Sequence, residues 1–253
     1  MIALVGSLSR DVFPDGVPRA GGGAFHGARA LRRLRTPARV VTRCAAADRK
    51  VLLPPLVHLG TPVTCLTGTS TATFSFRFDG QQREMRVEAI GDTWAPADVA
   101  ALPAARWVHV APLFRGEFPA TTIAALARRF RVSYDAQGLV RVPELGPLRL
   151  DADYDPALLQ HLWVLKLADE EAEIVGDVTA LGVKEILVTH GARGSTVYWR
   201  GAKEFVPARP LDVNATGAGD AFATSYIAGR QAGLPPLGAA RRATAVVAAM
   251  LAG

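Results

Sequence analysis

Cysteine, long apolar runs and aromatic residues are scarce in this chain, and each scarcity argues against a class of protein. Cys44 and Cys65 are the two cysteines in 253 residues, and both lie in apolar, strand-like runs, which argues against a disulfide framework or a cysteine metal site. The apolar start at residues 2–6 is too short for a signal peptide or a membrane span. We therefore expect a cytoplasmic protein with no membrane partner.

The aromatic content of 7% also bears on the positive net charge of +6. A visible share of that charge comes from a cluster of arginines that would attract an anionic ligand, namely Arg29, Arg32, Arg33, Arg35 and Arg39. A solvated helix face is the simpler explanation, because no aromatic residues alternate with the arginines as they would on a nucleic-acid platform. We expect no nucleic-acid partner.

Short runs rich in Val, Ile and Leu alternate with segments of helical length that are rich in Ala, Leu and Arg. This alternation predicts an α/β fold, with a mostly parallel sheet covered by helices on both faces, in a single domain over residues 1–253. The predicted strands are 2–6, 39–44, 62–66, 107–111, 131–135, 162–166 and 185–190. The predicted helices are 23–34, 119–130, 169–175, 218–232 and 237–251.

Ligands bind at the carboxyl ends of the strands in such sheets. Asp11, Asp135, Lys166 and Gly191 all lie at or just after a predicted strand end. The sequence therefore directs attention to this edge of the sheet.

One segment departs from the alternation. Residues 71–78 alternate strictly, meet Asp79 and Gly80, and continue as residues 83–89, which predicts a β-hairpin with Phe74, Phe76 and Phe78 on one face. A two-stranded ribbon is marginal alone, so this face must cover the main domain, a substrate, or the same ribbon of a second subunit. The last case would give a homodimer. An ordinary hairpin packed on the core explains the pattern as well as a mobile lid does.

The most informative motif is the glycine-rich stretch at residues 214–222, where a predicted helix begins. Unpaired N–H groups at such a helix start attract phosphate oxygens, and the carboxylate of Asp220 would stand beside them. A carboxylate there can take the proton of a substrate hydroxyl during phosphoryl transfer. The structural alternative is that Thr216 caps a core helix and Asp220 complements its dipole.

Residues 214–222 resemble the carboxy-terminal signature of the ribokinase-like (PfkB) carbohydrate kinases, and residues 21–28 resemble the amino-terminal glycine pair of that family. Residues 189–194 look like its T-x-G-x-x-G turn, and residues 166–171 occupy the place of its K-x-N-x-x-E segment. The four matches occur in family order, and with Asp11 closing the first strand they cover essentially the whole chain.

This resemblance implies a three-layer α/β/α sandwich with a small β-hairpin lid, here at about residues 11–20 and 69–90. It also implies transfer of a phosphoryl group from ATP to a hydroxyl of a small sugar, cyclitol or nucleoside. Residues 135–141 resemble the inositol-kinase-like branch of the family. A strand followed by a turn that Gly138 permits explains that segment at least as well as a substrate role for Asp135 or Gln137.

The resemblance assigns Asp220 as the catalytic base and the backbone of Gly217, Ala218 and Gly219 as the anion hole. Mg²⁺ would arrive with ATP and be held through water by Glu171. The acceptor would meet Asp11, Gly21, Gly22 and His26. The nucleotide side would comprise Lys166, Glu171, Thr189, Gly191, Gly194 and Thr216. Structural alternatives remain for four of these residues: Asp11 as a loop carboxylate, His26 as a structural histidine, Lys166 as a hydrated cation, and Thr189 as a strand former.

Three positions depart from the family pattern. His26 stands where most members carry a substrate-binding Asn, and Ala168 replaces the Asn of the K-x-N-x-x-E segment. Asn214 replaces an Asp that in many members helps to bind a monovalent cation, so potassium activation is doubtful. The second hypothesis for function is therefore a catalytically weak member of the family that binds a sugar or nucleotide as a sensor or scaffold.

Overall fold

A nine-stranded sheet forms the centre of the molecule. The structure, a computed structural model, describes residues 1–79, 82–209 and 216–252. The strands of the central sheet are β1 (Ile2–Val5), β4 (Ala38–Ala45), β5 (Val63–Gly68), β8 (Trp107–Val110), β9 (Arg131–Asp135), β11 (Val164–Ala168), β12 (Glu185–Thr189), β13 (Gly194–Trp199) and β14 (Ala202–Pro207). Their order is β14-β13-β12-β11-β9-β8-β1-β4-β5, and pairing is parallel except at β13 and β14.

Helices cover both faces of this sheet, because strands that are buried on both sides present apolar residues in both directions. One face packs against α1 (Gly23–Arg33), α2 (Arg49–Val57), α7 (Ala218–Gln231) and α8 (Pro236–Leu251). The other packs against α3 (Pro96–Ala100), α4 (Ala120–Ala127), α5 (Gln137–Val140) and α6 (Asp169–Val175). The predicted three-layer α/β/α architecture is confirmed.

A second sheet of five strands lies beside the first. It contains β2 (Ser9–Val12), β3 (Pro18–Gly21), β6 (Ala72–Asp79), β7 (Gln82–Ala89) and β10 (Gly146–Pro147), in the order β10-β7-β6-β2-β3. The two segments predicted as a lid, 11–20 and 69–90, overlap four of these strands. Gly80, which the sequence places in the hairpin turn, lies outside the described residues.

The second sheet buries its aromatic residues within the chain. Phe74 and Phe76 are 3% and 5% exposed, and the ring of Phe74 stacks on Phe114 at 5.2 Å. The ring of Phe76 stacks on Phe13 at 4.9 Å. These two phenylalanines are therefore buried within their own subunit. Their pattern in the sequence no longer supports a dimer formed through them. A homodimer stays a prediction without this support.

The prediction that Asp11 closes the first strand is wrong. β1 ends at Val5, and the chain then follows β4, where the N–H of Gly6 bonds the carbonyl of Val41 and that of Leu8 bonds Arg43. Asp11 lies inside β2 of the second sheet. In the described parts of the chain, no helix is long and apolar enough to cross a membrane.

Candidate active site

Helix α7 begins with a glycine in a left-handed conformation. Gly217 is the N-cap residue with φ of 79°, a value that favours glycine, and it has no side chain with which to cap the helix. Thr216 precedes this position, so the alternative in which Thr216 serves as the N-cap residue is wrong. The N–H groups of the first turn therefore donate no hydrogen bond to an N-cap side chain. Asn214 lies outside the described residues.

Asp220, in that first turn, carries a carboxyl oxygen with an unusual environment. Its Oδ1 atom is buried and accepts no hydrogen bond from the residues that the structure describes. Burial raises the pKa of Asp220 to about 7; the Asp135 carboxylate adds to this effect, and Lys166 opposes it. A buried acceptor without a partner is costly, so this oxygen requires an explanation that packing alone does not give.

The start of α1 makes room for this oxygen. A Cβ atom on Gly23 would lie 2.5 Å from Oδ1 of Asp220 and 2.6 Å from Cβ of Ala111. α1 and α7 therefore begin side by side, and Gly23 lies so close to Asp220 that a larger residue would not fit. The sequence analysis missed Gly23 and singled out the two preceding glycines, although all three belong to one run.

Lys166 joins the acidic residues beneath the helix start. Its Nζ lies 3.3 Å from Oδ2 of Asp135 and 3.8 Å from Oε2 of Glu171, and all three residues are nearly fully buried. Burial alone would lower the pKa of Lys166, but attraction by Asp135, Glu171 and Asp220 outweighs it and raises the pKa. Lys166 therefore stays charged. A Cβ on Gly219 would lie 3.1 Å from this Nζ, which places the cation beside the predicted anion hole.

Glu171 caps the start of α6, in addition to its predicted role at the metal. Its Oε2 accepts a hydrogen bond of 2.7 Å from the N–H of Ala168, so the carboxylate caps α6 at the third helical position. Burial raises the pKa of Glu171, and Lys166 opposes the rise. Ala168, which replaces the family Asn, has no side-chain acceptor to complete a reciprocal capping box.

The residues predicted for the acceptor come together. Asp11 and His26 line one cavity of about 570 Å³, with Phe13 and Arg19 on its walls. A Cβ on Gly21 would overlap the Asp11 carboxylate, so the glycine lets this side chain approach the backbone.

His26 and Gly22 connect this cavity to the start of α7. A Cβ on Gly217 would overlap the His26 ring, and burial lowers the pKa of His26 to about 4, so the ring is neutral. Gly22 is the N-cap of α1, with φ of 95°, and a Cβ there would lie 2.5 Å from the carbonyl oxygen of Ser7. His26 also lines a smaller cavity of about 150 Å³ against Thr216, Gly217 and Ala218.

The T-x-G-x-x-G turn lies farther along the sheet edge, after β12. Thr189 donates a hydrogen bond of 3.2 Å to the carbonyl of Leu167, as a strand former would. Gly191 and Gly194 have φ of 56° and 126°, and a Cβ on Gly194 would lie 2.8 Å from the N of Ala208. The structure therefore accounts for these two glycines by backbone conformation.

The same turn is tied to the start of α6. Asp169 receives hydrogen bonds from His190 and, at 2.7 Å, from Arg193. Burial would raise the pKa of Asp169, but the hydrogen bonds from His190 and Arg193 and the electrostatic effect of the same two residues lower it. The loop after β12 and the first turn of α6 thus form one surface next to Lys166.

The family model for pfkB family carbohydrate kinases matches residues 84–252. The chain belongs to this family. It is similar to inositol 3-kinase of Oryza sativa subsp. japonica, with 31% identity over 195 residues, or 71% of this chain and 48% of that protein. Inositol 3-kinase of Zea mays is 33% identical over 165 residues, or 62% of this chain and 43% of that protein. The matches thus span about half the length of these curated relatives.

Solved structures extend the comparison to the whole chain. A pyrophosphate-dependent kinase in the ribokinase family, complexed with a pyrophosphate analog and myo-inositol, matches with a TM-score of 0.88 and 28% identity, covering 100% of this chain and 95% of that one. Ribokinase of Arabidopsis thaliana, complexed with ribose and ATP, matches with a TM-score of 0.73 at 19% identity, covering 100% and 92%. The ribokinase-like fold is therefore confirmed.

The residues present fit a phosphate donor and its metal. Asp220 offers an oxygen without a hydrogen-bond partner among the described residues, Gly23 lets α1 approach that oxygen closely, and Lys166 supplies charge beside Gly219. Among the described residues, no group of three or more His, Cys, Asp or Glu could hold a metal ion alone. A Mg²⁺ ion would accordingly depend on phosphate and water for most of its ligands, with Glu171 as the nearby carboxylate.

Proposed function

We propose that this protein is a phosphotransferase that phosphorylates a hydroxyl of a small cyclitol or sugar. The observation that carries the proposal is the Asp220 carboxylate, which is buried, unpartnered at Oδ1 and raised in pKa to about 7 at the start of α7. A general base works best with a pKa near the operating pH. An inert dipole-complementing aspartate would need neither the raised pKa nor a glycine packed against its carboxylate.

The acceptor is proposed to be inositol-like, with sugars and nucleosides as the wider class. Support comes from the plant relatives, which are inositol 3-kinases, and from the solved relative complexed with myo-inositol. Asp11 and His26 line one cavity and offer a carboxylate and a neutral imidazole to adjacent hydroxyls. A ring of hydroxyl groups presents donors and acceptors that match such a pair.

In this mechanism the Asp220 carboxylate takes the proton of the acceptor hydroxyl. The N–H groups of Gly217, Ala218 and Gly219 donate to oxygens of the transferring group, where preorganised donors outperform water. Lys166, held by Asp135 and Glu171, balances negative charge beside Gly219. Mg²⁺, when bound with the donor, neutralises phosphate charge, and Glu171 would hold it through water.

The proposed donor is ATP, with pyrophosphate as a second candidate. ATP follows from the family resemblance and its T-x-G-x-x-G turn at Thr189, Gly191 and Gly194. Pyrophosphate is favoured by the solved relative at 28% identity, which is a pyrophosphate-dependent kinase. Both donors present the same terminal phosphate to the start of α7, so the roles of Asp220 and Lys166 hold for either.

The experiment is phosphorylation of myo-inositol by wild-type protein and by Asp220→Asn, with Mg-ATP and with Mg-pyrophosphate in separate reactions. Asn is isosteric and cannot accept the proton, so we expect turnover to fall by about 10²–10⁴-fold while acceptor binding persists. A thermal-shift series with myo-inositol measures that binding without turnover, since a native-state ligand raises Tm by mass action.

Asp177→Asn is the matched control, because Asp177 accepts local hydrogen bonds from Thr179 at an exposed turn away from α7. Near-normal turnover in Asp220→Asn would refute the role of the base. Ligand binding by the wild-type protein without phosphorylation by either donor, across cyclitols, sugars and nucleosides, would favour the sensor or scaffold hypothesis.

A further inference from the structure

Arg29 differs from the other arginines that the sequence groups with it. Those four are exposed and line neither of the two cavities described above, as a solvated helix face requires: Arg32, Arg33, Arg35 and Arg39. Arg29, in contrast, lines both cavities. Its position at the site therefore needs an explanation of its own.

Arg29 lies where the acceptor cavity of about 570 Å³ meets the start of α7. It follows His26 by one helical turn on the same face of α1, because residues three apart are neighbours on a helix surface. His26, Arg29 and Thr216 belong to the walls of both cavities. The smaller cavity continues to Gly217 and Ala218. A molecule in the acceptor cavity with a hydroxyl directed at α7 would therefore pass Arg29.

The guanidinium of Arg29 has no counter-ion in the described part of the chain. There, Arg29 takes part in no ion pair and in no side-chain hydrogen bond. The other arginine of the acceptor cavity, Arg19, forms an ion pair with Asp15 and lies over the Phe13 ring at 4.8 Å. The Arg29 side chain is exposed, so a ligand can reach it. Its donors are therefore available, whereas those of Arg19 are engaged.

The two arginines share the acceptor cavity with two further ionisable side chains among the described residues, Asp11 and His26. Asp11 is 8% exposed, and its Oδ1 accepts a hydrogen bond of 2.7 Å from Ser9. Burial lowers the pKa of His26 to about 4; Asp11 opposes this effect and Arg29 adds to it. His26 is therefore neutral. The cavity thus combines a carboxylate, which accepts from hydroxyl groups, with a cation that lacks an acceptor.

The volume of the acceptor cavity exceeds what a ring polyol needs. Cavities of about 300–1,000 Å³ hold drug-sized ligands, and about 570 Å³ falls within that range. A six-membered polyol is smaller than such a ligand, so the cavity has room for a substituent on the ring.

Filling the acceptor cavity would remove water from Arg29. A charge that loses its water without gaining a partner is costly, and a pair of anionic oxygens is a stronger partner for a guanidinium than a neutral hydroxyl. Asp11 would repel the same anionic group. The two side chains together would therefore orient an acceptor, with its hydroxyl groups toward Asp11 and its negative charge toward Arg29.

Resting on the proposed function, we propose that the preferred acceptor is a polyol that carries an anionic group, and that Arg29 binds this group. A phosphate monoester and a carboxylate share the required chemistry, since each offers two oxygens to the planar fork of donors. Asp11 and His26 bind hydroxyl groups of the same molecule. Neutral myo-inositol enters the cavity without an anionic partner for Arg29 and is the weaker acceptor.

The test compares kcat/KM for three acceptors: myo-inositol, myo-inositol 1-phosphate and glucuronate. We expect the charged acceptor that fits to exceed myo-inositol by about 10–100-fold in wild-type protein, the range of a hydrogen bond to a charged group. Whether the phosphate or the carboxylate gives the larger ratio identifies the anionic group. Arg29→Gln keeps donors without charge and should bring the ratio close to one. Arg29→Lys keeps charge without the fork and should give an intermediate ratio.

Titration calorimetry without a donor measures binding separately from turnover. Affinity for the preferred charged acceptor should fall by about 10–100-fold in Arg29→Gln. In wild-type protein it should also fall between about 0.05 and 0.5 M salt, because salt screens an exposed charge. Arg33→Gln is the matched control, since Arg33 is exposed on the same helix and lines neither cavity. This variant should keep the wild-type ratio and affinity.

A wild-type ratio of one or less for both charged acceptors would overturn the proposal, and so would a ratio that Arg29→Gln leaves unchanged. If the wild-type protein phosphorylates no acceptor with either donor, the proposed function fails and calorimetry alone decides on Arg29. In that case, equal affinity of wild type and Arg29→Gln for both charged acceptors, or no binding of either, overturns its role. If Arg29→Gln does not fold, Arg29→Lys is judged by the same two measurements.

Discussion

Two buried carboxylates lie at the two ends of α7, and they differ in their hydrogen bonding. At one end, Glu185 is 5% exposed and its carboxylate accepts hydrogen bonds from Trp163, Tyr226 and twice from Arg230, at 2.6–3.1 Å. At the other end, Asp220 keeps a buried oxygen that no described residue satisfies. One carboxylate is fully paired and the other is left open.

One end of α7 is therefore anchored to the sheet, and the other end carries the proposed catalytic residue. Tyr226 and Arg230 belong to α7, so the Glu185 cluster ties the carboxyl-terminal half of the helix to the first residue of β12. A helix fixed there can hold Asp220 at its other end despite the cost of an unpaired buried oxygen. Natural proteins leave some polar groups unpaired at functional sites and compensate with stabilising contacts elsewhere.

The largest expected effect comes from breaking the paired end. Glu185→Ala leaves Arg230 and Tyr226 buried without their acceptor, and we expect a loss of about 3–5 kcal/mol in the free energy of unfolding. Urea unfolding followed by circular dichroism measures this loss. At urea concentrations well below the unfolding midpoint, turnover per folded molecule should stay near the wild-type value, because the Glu185 cluster lies away from Asp220.

Glu144→Ala is the matched control, since Glu144 forms an exposed ion pair with Arg149 and should cost at most about 1 kcal/mol. A Glu185 variant that keeps its stability but loses turnover would contradict the division between the two ends.

The second effect tests the unpaired end of α7 by placing a methyl group against the Asp220 carboxylate. In Gly23→Ala the new Cβ would lie 2.5 Å from Oδ1 and 2.6 Å from Ala111, so the carboxylate must move from its position. We expect turnover to fall by about 10²-fold, because small misplacements of reacting groups have large effects. Initial rates at saturating donor and acceptor measure it.

Gly238→Ala serves as the control, since this helical glycine in α8 has only ordinary contacts, at 3.4 Å to Pro235. Equal turnover in both glycine variants would show that the close approach of Gly23 to Asp220 has no functional use.

The fold was largely predictable because local patterns carry it. The predicted strand at 131–135 and helix at 169–175 coincide with β9 and α6, and the other predicted elements are shifted by a few residues. The sequence analysis missed β13 and β14, since β13 buries the polar residues Ser195 and Thr196, β14 is mostly exposed, and neither has the apolar run of the central strands. It also missed α2, where Pro54 and Pro55 interrupt any helical pattern.

The part of the site that lies in one short motif was predictable from the sequence. The part that depends on strand register, which brings distant residues together, was not. Asp220 and Gly217 lie in one short segment, so their proximity follows from the sequence. The ion pair between Lys166 and Asp135 depends on the pairing of β11 with β9, which places these residues opposite each other. Gly23 meets Asp220 through the packing of α1 on α7. Neither register nor helix packing is readable from a single sequence.

The third effect is the pH dependence of turnover. Because burial raises the pKa of Asp220 to about 7, the base should be protonated below that pH and free above it. We expect kcat/KM with myo-inositol to decrease by about tenfold per pH unit well below 7 and to level off above it. Rates measured from pH 5 to 9 in a series of overlapping buffers test this. A flat profile between pH 5 and 8 would contradict the assignment.

The smallest effect is a gain in stability when the open carboxylate is neutralised. The folded pKa of Asp220, about 7, lies above its ordinary value of 3.8, so ionisation opposes folding above about pH 7, and this penalty disappears as pH falls through 7 toward 4. Asp220→Asn should therefore raise Tm by a few degrees at pH 8 and leave it nearly unchanged at pH 4, by differential scanning calorimetry. Glu185→Gln should lower Tm at pH 8, since its carboxylate is already paired. A lowered Tm in both variants would show that Asp220 is satisfied in solution and that the two ends of α7 do not differ as the structure indicates.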